Sequence, residues 1–293
     1  FLLKSCKSYE LVLKNIVSPE EGRGMGIILS TGQENLVRAD EQLALVKSGF
    51  QTIDISQIFG FKYDRDKITS SFAEFENYRT LLARFRDLSK FMPELIGLYG
   101  KRTYLLLFNN NAELRPSGGF IGSYGILSLD KGKMIELKID DIYNADGQLT
   151  GHVEPPSPVR TYLGQPHWYM RDSNWSPDFS ESAIKAEWFL EKETGRKVDG
   201  VIMIDLNVTQ ELLKATGRMN LPDYQDFITA DNFFEKATHY SQEQFFPGST
   251  QKKDFLSMVS QKILDKIIAS PQDYLPRFLL FLPDLIENKH LAF

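Results

Sequence analysis

The segment running from Asn109 through Asn111, Glu113, Arg115, Gly118 and Gly119 to Ser123 gathers carboxamides, a carboxylate, a guanidinium and glycines within one short stretch. That chemistry suits an anion. Arg115 offers a two-pronged fork of N–H donors, Asn111 and Ser123 add further hydrogen-bonding groups, and Gly118, Gly119 and Gly122 allow close backbone approach. The segment lacks the Gly-Lys-Ser/Thr ending of a Walker loop and the spacing of a dinucleotide fingerprint. The competing reading is a tight turn after an Asn-capped strand end.

A second polar and aromatic cluster, Arg171-Asp172-Ser173-Asn174-Trp175-Ser176-Pro177-Asp178-Phe179, stands immediately before a predicted helix. Helix N-termini attract anions, so Arg171 and Asn174 are binding candidates. Equally, Asp178 can cap the helix while Trp175 and Phe179 staple its entry. Asp140, Asp141, Asn144 and Asp146 supply hard oxygen ligands of the kind Mg²⁺ or Ca²⁺ takes, although their spacing is not that of an EF-hand and a solvated turn explains them as well. Four scattered histidines, His152, His167, His239 and His290, show no zinc spacing. Ser117, Ser123 and Ser176 lack a nucleophile-elbow context. Glu187, Glu191 and Glu193 read as a wet helix face.

The elements that must position these residues divide into two regions. From Leu2 to about Leu98, apolar residues such as Leu3, Cys6, Leu11, Leu13, Phe72, Phe75, Tyr78, Leu81, Leu82, Phe85 and Leu88 recur at helical intervals, which predicts two or three helices. Breaks are expected at Ser18 to Gly22 and around Phe59-Gly60-Phe61, with the last helix ending near Met92-Pro93. At Tyr104 the texture changes. Tyr104 to Phe108 reads as a strand buried on both faces, Phe120 to Leu129 and Lys133 to Ile139 as a hairpin across Asp130-Lys131-Gly132. The proline-rich span 150–170 reads as a surface loop. A helix from about Ser180 to Gly195, a strand over Val198 to Ile204 and a helix from Thr209 to Gly217 follow. The tail from Asp231 reads as helices broken at Pro271, Pro276 and Pro283. Strand, hairpin, helix, strand, helix in this order implies an α/β domain with a mixed central sheet flanked by helices, over residues 99–293, behind a helical N-terminal region over residues 1–98.

Composition is that of a folded protein, with 42% apolar and 25% charged residues. The formal net charge of −5 gives no global reason to bind nucleic acid. A lone cysteine, Cys6, excludes an internal disulfide and a cysteine-rich metal site. No apolar run approaches the roughly 18 residues that a membrane-spanning helix needs. Phe1 at one end and His290-Leu291-Ala292-Phe293 at the other read as cuts, so a signal peptide or membrane anchor before residue 1 and truncation after Phe293 are both expected.

The stretch from Arg102 to Ser123, together with Arg171 to Phe179 and Val198 to Asp205, resembles the bacterial domain-of-unknown-function 4012 family over roughly residues 93 to 235. Members of that family are envelope proteins with an N-terminal membrane segment. The family is itself distantly similar to the LytR-CpsA-Psr domain, whose enzymes move glycopolymers from polyprenyl-pyrophosphate carriers to the cell wall with arginines, aspartates and Mg²⁺. At the hairpin end those relatives carry an Arg-Asp pair, and this chain carries Asp140-Asp141.

What the resemblance implies is an extracytoplasmic, membrane-anchored envelope domain that binds a polyprenyl-linked glycan or cell-wall polymer, with Mg²⁺-dependent phosphotransfer as its reaction. Arg115, Asp141 and Arg171 are then the catalytic candidates. Asn111, Glu113, Gly118, Gly119, Ser123, Asn144, Asn174 and Trp175 are the ligand-binding set, Asp140, Asp141, Asp172 and Asp178 the metal set, and the surfaces near Phe120 and Trp175 the seat of a lipid tail. The alternative is a non-catalytic envelope scaffold or protein- or glycan-binding module. A deep apolar pocket beside Arg115 favours the first reading, and arginines committed to internal salt bridges favour the second.

Overall fold

The computed structural model describes residues 1–17, 24–52, 75–76, 79–80, 82–242 and 251–293. The helix breaks expected at residues 18–22 and 59–61 lie outside these residues, as do Phe72, Tyr78 and Leu81. Two compact units are present: residues 1–100 with 131–133, and residues 101–130 with 134–293.

The first unit is helical. Helices α1 (Leu2–Val17) and α2 (Met25–Gln51) lie against each other where Gly32 leaves room for the Ser8 and Tyr9 side chains. Ser5 Oγ donates to the Gly32 carbonyl at 3.1 Å across that approach. A third helix, α3 (residues 82–89), brings Phe85 edge-on to Tyr9 at 4.9 Å between ring centroids. It stops at Ser89, and Pro93 stands in the first turn of a new short helix, α4 (Met92–Leu95), where its missing N–H costs nothing. The proline thus starts a helix instead of ending one.

The second unit is an α/β fold built on a five-stranded mixed sheet, in the order β3-β2-β1-β4-β7. Strands β1 (Arg102–Asn110), β2 (Phe120–Asp130) and β3 (Lys133–Asp141) form the predicted strand and hairpin. Lys131 and Gly132, both at positive φ, make the turn, which matches the strands' right-handed twist. β4 (Gly200–Asp205) lies parallel to β1, with Asn109 opposite Asp205, so both residues stand at the carboxyl ends of their strands. On the other side of β1 the register slips after Phe108: Phe108 faces Ser123 and Asn109 faces Ile121, leaving Gly122 as the extra residue of a bulge.

Helices cover both faces, as strands buried on both sides require. α5 (Ile142–Asp146) and α7 (Phe179–Thr194) pack Ile142, Ala145, Ala186, Phe189 and Leu190 with Leu105, Leu107, Tyr124 and Val201. α8 (Leu206–Thr216) brings Val208 to the opposite face, where Ile202 and Ile204 of β4 alternate away from Val201 and Met203. Past α8 a small hairpin, β5 (Met219–Leu221) and β6 (Asp226–Ile228), and helices α9 (Phe233–Gln242) and α10 (Gln251–Ala269) build a further core with Leu206 and Leu213 of α8.

Three expectations need correcting. Span 150–170 is not loop throughout, because Pro156 and Pro158 open a short helix, α6 (Ser157–Leu163), closed by Gly164 in the left-handed region. Pro271 likewise begins α11 (Pro271–Glu287), and Pro276 and Pro283 lie within that helix instead of breaking it. The two-residue strand β7 (Leu291–Ala292), too short to show a period, adds antiparallel to β4.

Candidate functional site

Both arginines singled out in the sequence meet on one carboxylate. Arg115, in the loop that joins β1 to β2, donates from Nε to Asp172 Oδ1 at 3.2 Å. Arg171 places its Nε 3.5 Å from the other oxygen, Oδ2. Asp172 is buried, with a side chain 2% exposed, and a single turn of 3₁₀ helix (Met170–Asp172) holds it beside Arg171. A carboxylate without counter-charges is costly at such a position, and the two guanidinium groups supply them.

Each arginine is fixed further. Arg115 donates from Nη1 to the Leu114 carbonyl at 2.9 Å and lies over the Phe120 ring at 5.3 Å. Arg171 donates from Nη1 to Asp146 at 2.8 Å and from Nη2 to Gln165 at 3.1 Å, with its guanidinium over Tyr169 at 4.4 Å and Tyr143 at 5.3 Å. Planar stacking of this kind is open to arginine and not to lysine.

Behind Arg171 lie two buried acids. Asp146, the last residue of α5, is pushed up to about 6, chiefly because burial penalises its charged form, with Arg171 opposing. Glu193, in the last turn of α7, is pushed up to about 8 by burial first and by the Asp146 charge second, while the Met170 N–H it accepts and Arg171 draw it back. One oxygen of each, Asp146 Oδ1 and Glu193 Oε2, is buried without a hydrogen-bond partner among the described residues. Burial also raises the nearby Tyr143 and Tyr124 hydroxyls.

The polar loop after β1 is held from below by two carboxamides. Asn109 and Asn174 both donate from Nδ2 to the carbonyls of Ser117 and Gly119, Asn174 at 2.6 Å to each. Ser117 in turn donates through Oγ to the Ser176 carbonyl. The glycines answer to the protein's own packing: at Gly118 (φ +74) a Cβ would lie 2.2 Å from Met203 Sδ, and at Gly119 (φ +95) 2.2 Å from the Asn110 carbonyl oxygen. Glu113 accepts from Asn110 Nδ2 at 3.3 Å, and Ser123 is buried within β2.

Asn111 points elsewhere, donating to Asp205 at 3.0 Å. Asp205 caps α8, accepting from the Asn207 and Val208 backbone N–H groups, and stands 2.7 Å from His290 Nδ1. This second cluster lies at the carboxyl ends of β1 and β4, where open α/β sheets bind their ligands.

The four aspartates of the expected metal set do not form one donor group. Asp172 serves the arginines. Asp140 accepts from Asn144 at 2.6 Å and from the Asp141 N–H at 2.9 Å; Asp141 caps α5 through the Tyr143 N–H; Asp178 caps α7 through the Ser180 N–H. No group of three or more His, Cys, Asp or Glu able to hold a metal ion is found among the described residues. Trp175 is partly buried, and Phe120, under Arg115, is buried.

The sequence did not show the roles of four members. Asp146 looked like a loop oxygen and is Arg171's partner. Glu193 was expected on a wet face and is buried, because the stripe Ala186, Phe189, Leu190 returns one turn later to position 193. That period was visible in the sequence. His290 and Asp205, 85 residues apart, offered no local signal. The histidines read as scattered also include a contacting pair, with His152 and His167 joined Nδ1 to Nδ1 at 2.6 Å.

No helix among the described residues is long and apolar enough to cross a membrane. No curated protein and no solved structure matches the chain. Residues 99–240, which carry Arg115, Asp146, Asp172, Arg171 and Glu193, match the model of the family described as "Protein of unknown function (DUF4012)".

Proposed function

We propose that the α/β unit is an extracytoplasmic cell-envelope domain of the LytR-CpsA-Psr kind that binds a phosphorylated, lipid-linked glycan or a related anionic ligand at Arg115 and Arg171. One observation carries this reading: two arginines from separate loops converge on the single buried carboxylate of Asp172. Their side chains keep 15% and 13% exposure, and each guanidinium has five N–H donors, more than the contacts above engage. Attachment to the membrane would come from a segment outside this chain. Mg²⁺ would enter as a partner of the ligand's phosphates, since the candidate aspartates serve caps and ion pairs.

A second reading is favoured by a specific observation. Arg115 pairs with Asp172 and Arg171 with Asp146 and Asp172 inside the protein, the pattern expected of a non-catalytic scaffold in which the network shapes the fold. Calorimetry with a polyprenyl pyrophosphate, with and without Mg²⁺, separates the two. Binding that Arg115→Ala abolishes, in a variant whose circular dichroism is unchanged, supports the ligand site. Asp141→Ala tests the metal: loss of only the Mg²⁺-dependent part of the affinity assigns it a role there. A folded wild type that binds nothing leaves the scaffold.

A further inference from the structure

The ligand site just proposed has a difficulty in its charges, and the two buried acids behind Arg171 answer it. Arg115 and Arg171 are matched by Asp172 and Asp146, so the cluster carries no surplus positive charge when Asp146 is ionised. An oxyanion reaching Arg171 competes with Asp146 for the same guanidinium, whose Nη1 lies 2.8 Å from Asp146 Oδ2. Losing that partner would leave a carboxylate 4% exposed with no counter-ion, a state that a low-dielectric interior does not tolerate. The least costly relief is a proton.

We propose, resting on the ligand reading above, that anion binding at Arg115 and Arg171 is coupled to proton uptake by the carboxyl pair of Asp146 and Glu193. The geometry fits. Asp146 keeps one buried oxygen, Oδ1, without a donor among the described residues, and Glu193 keeps Oε2 in the same condition, so each has a place for the proton. Both reach the Met170-Arg171 segment: Glu193 accepts the Met170 N–H at 3.2 Å and Asp146 holds the Arg171 side chain. Both acids already hold their protons far above the ordinary carboxylate range because burial disfavours the charge.

Every element packed around the pair contributes to its field. The 3₁₀ turn brings Arg171 and Asp172, α5 brings Tyr143 with Asp141 at its cap, and β2 brings Tyr124, whose hydroxyl in turn senses Asp140 of β3 and Arg196 beyond α7. Arg171 alone favours ionisation of both acids directly. Drawing it toward an external anion therefore pushes both acids in one direction, toward the protonated form. The charge balance is simple: one proton moves from solvent to a carboxylate oxygen for each ligand that displaces Asp146 from Arg171, and no covalent bond changes.

The test is calorimetry with geranyl pyrophosphate in buffers of different ionisation enthalpy, which counts protons taken up on binding, repeated across a range from about pH 5.5 to about pH 8.5. Asp146→Asn reports the ligand's own protonation, and Glu193→Gln serves as a second variant should the first fail to fold. Expected for the wild type is an uptake approaching one proton beyond that of Asp146→Asn near pH 7.5, with affinity on the order of tenfold tighter at about pH 5.5. Asp146→Asn should bind as tightly at high pH as at low, apart from the ligand's own titration. Binding of equal strength with no excess proton overturns the coupling and leaves the ligand site standing. Absence of binding across the whole range overturns both.

Discussion

Arg171 and Asp146 meet at 2.8 Å across 25 residues of sequence, and Asp146 pairs with no other cation among the described residues. Replacing Arg171 with alanine strands Asp146, whose side chain is 3% exposed, and leaves Asp172, 2% exposed, with Arg115 alone. Breaking a buried pair from one side costs roughly 3–5 kcal/mol. Urea unfolding of Arg171→Ala at neutral pH should show a loss of that size. Arg171→Lys should recover only part of it, because an ammonium cannot stack between Tyr169 and Tyr143. Full recovery by lysine would mean that the rings contribute nothing.

Glu193 makes the stability of the fold depend on pH in a stated direction. Its pKa is raised from an ordinary 4.5 to about 8, and that of Asp146 from 3.8 to about 6. A group raised in the folded state contributes its stability fully below its unfolded value and loses it as pH climbs to the folded one. Stability should therefore fall between about pH 4.5 and about pH 8, and Glu193→Gln should flatten the fall. Near pH 8 the variant should be more stable than the wild type by about 2–4 kcal/mol. Parallel thermal-unfolding profiles for the two proteins would show that Glu193 is not buried as described.

These acids also mark the limit of what the sequence made legible. Strands β1 to β4 and helices α7 and α8 could be read from apolar runs, alternation and Gly or Asp caps, all of which act within a few residues. Arg115, Arg171 and Asp172 stood out by composition alone. Their convergence did not, since it depends on β1 and β2 delivering one loop to the 3₁₀ turn before α7, 57 residues away. Prolines misled in the opposite sense: Pro158 and Pro271 read as breaks because the sequence shows their ring and not the helix N-terminus it suits. β7 was invisible because two residues carry no period.

Gly119 and Gly164 should respond very differently to the same substitution. Both have positive φ, yet a Cβ at Gly164 meets nothing within 4 Å, whereas one at Gly119 falls 2.2 Å from the Asn110 carbonyl oxygen. Gly164→Ala should cost about 1 kcal/mol from backbone strain alone. Gly119→Ala should cost several times more and displace the Arg115 loop, which chemical denaturation and the near-ultraviolet signal of the adjacent aromatic rings would both report. Equal costs would mean that the loop shifts freely.

Asp205 gathers the α8 cap, Asn111 and His290 on one carboxylate. Alanine at this position removes the cap, worth about 1 kcal/mol, and leaves buried donors unpaired at about 1–3 kcal/mol. A double-mutant cycle with His290→Ala should return a coupling energy of at least about 0.5 kcal/mol. Strict additivity would reduce the histidine to a bystander.

The parallel pairing of β1 with β4 also carries a kinetic consequence. β1 and β2 are neighbours in sequence and can zip as soon as both exist, but β4 reaches β1 only after a long excursion, 94 residues separating Asn111 from Asp205. Closing so long a loop is an entropic search made before its contacts can repay it. Pulse-labelling of amide hydrogens during refolding should find Ile126 and Leu127 of β2, which lies between β1 and β3, protected before Leu291, whose partner Ile204 must first find β1. The half of the sheet that carries the Arg115 loop is then assembled before the half that carries Asp205, and the chain holds one side of its polar rim in place while it is still looking for the other.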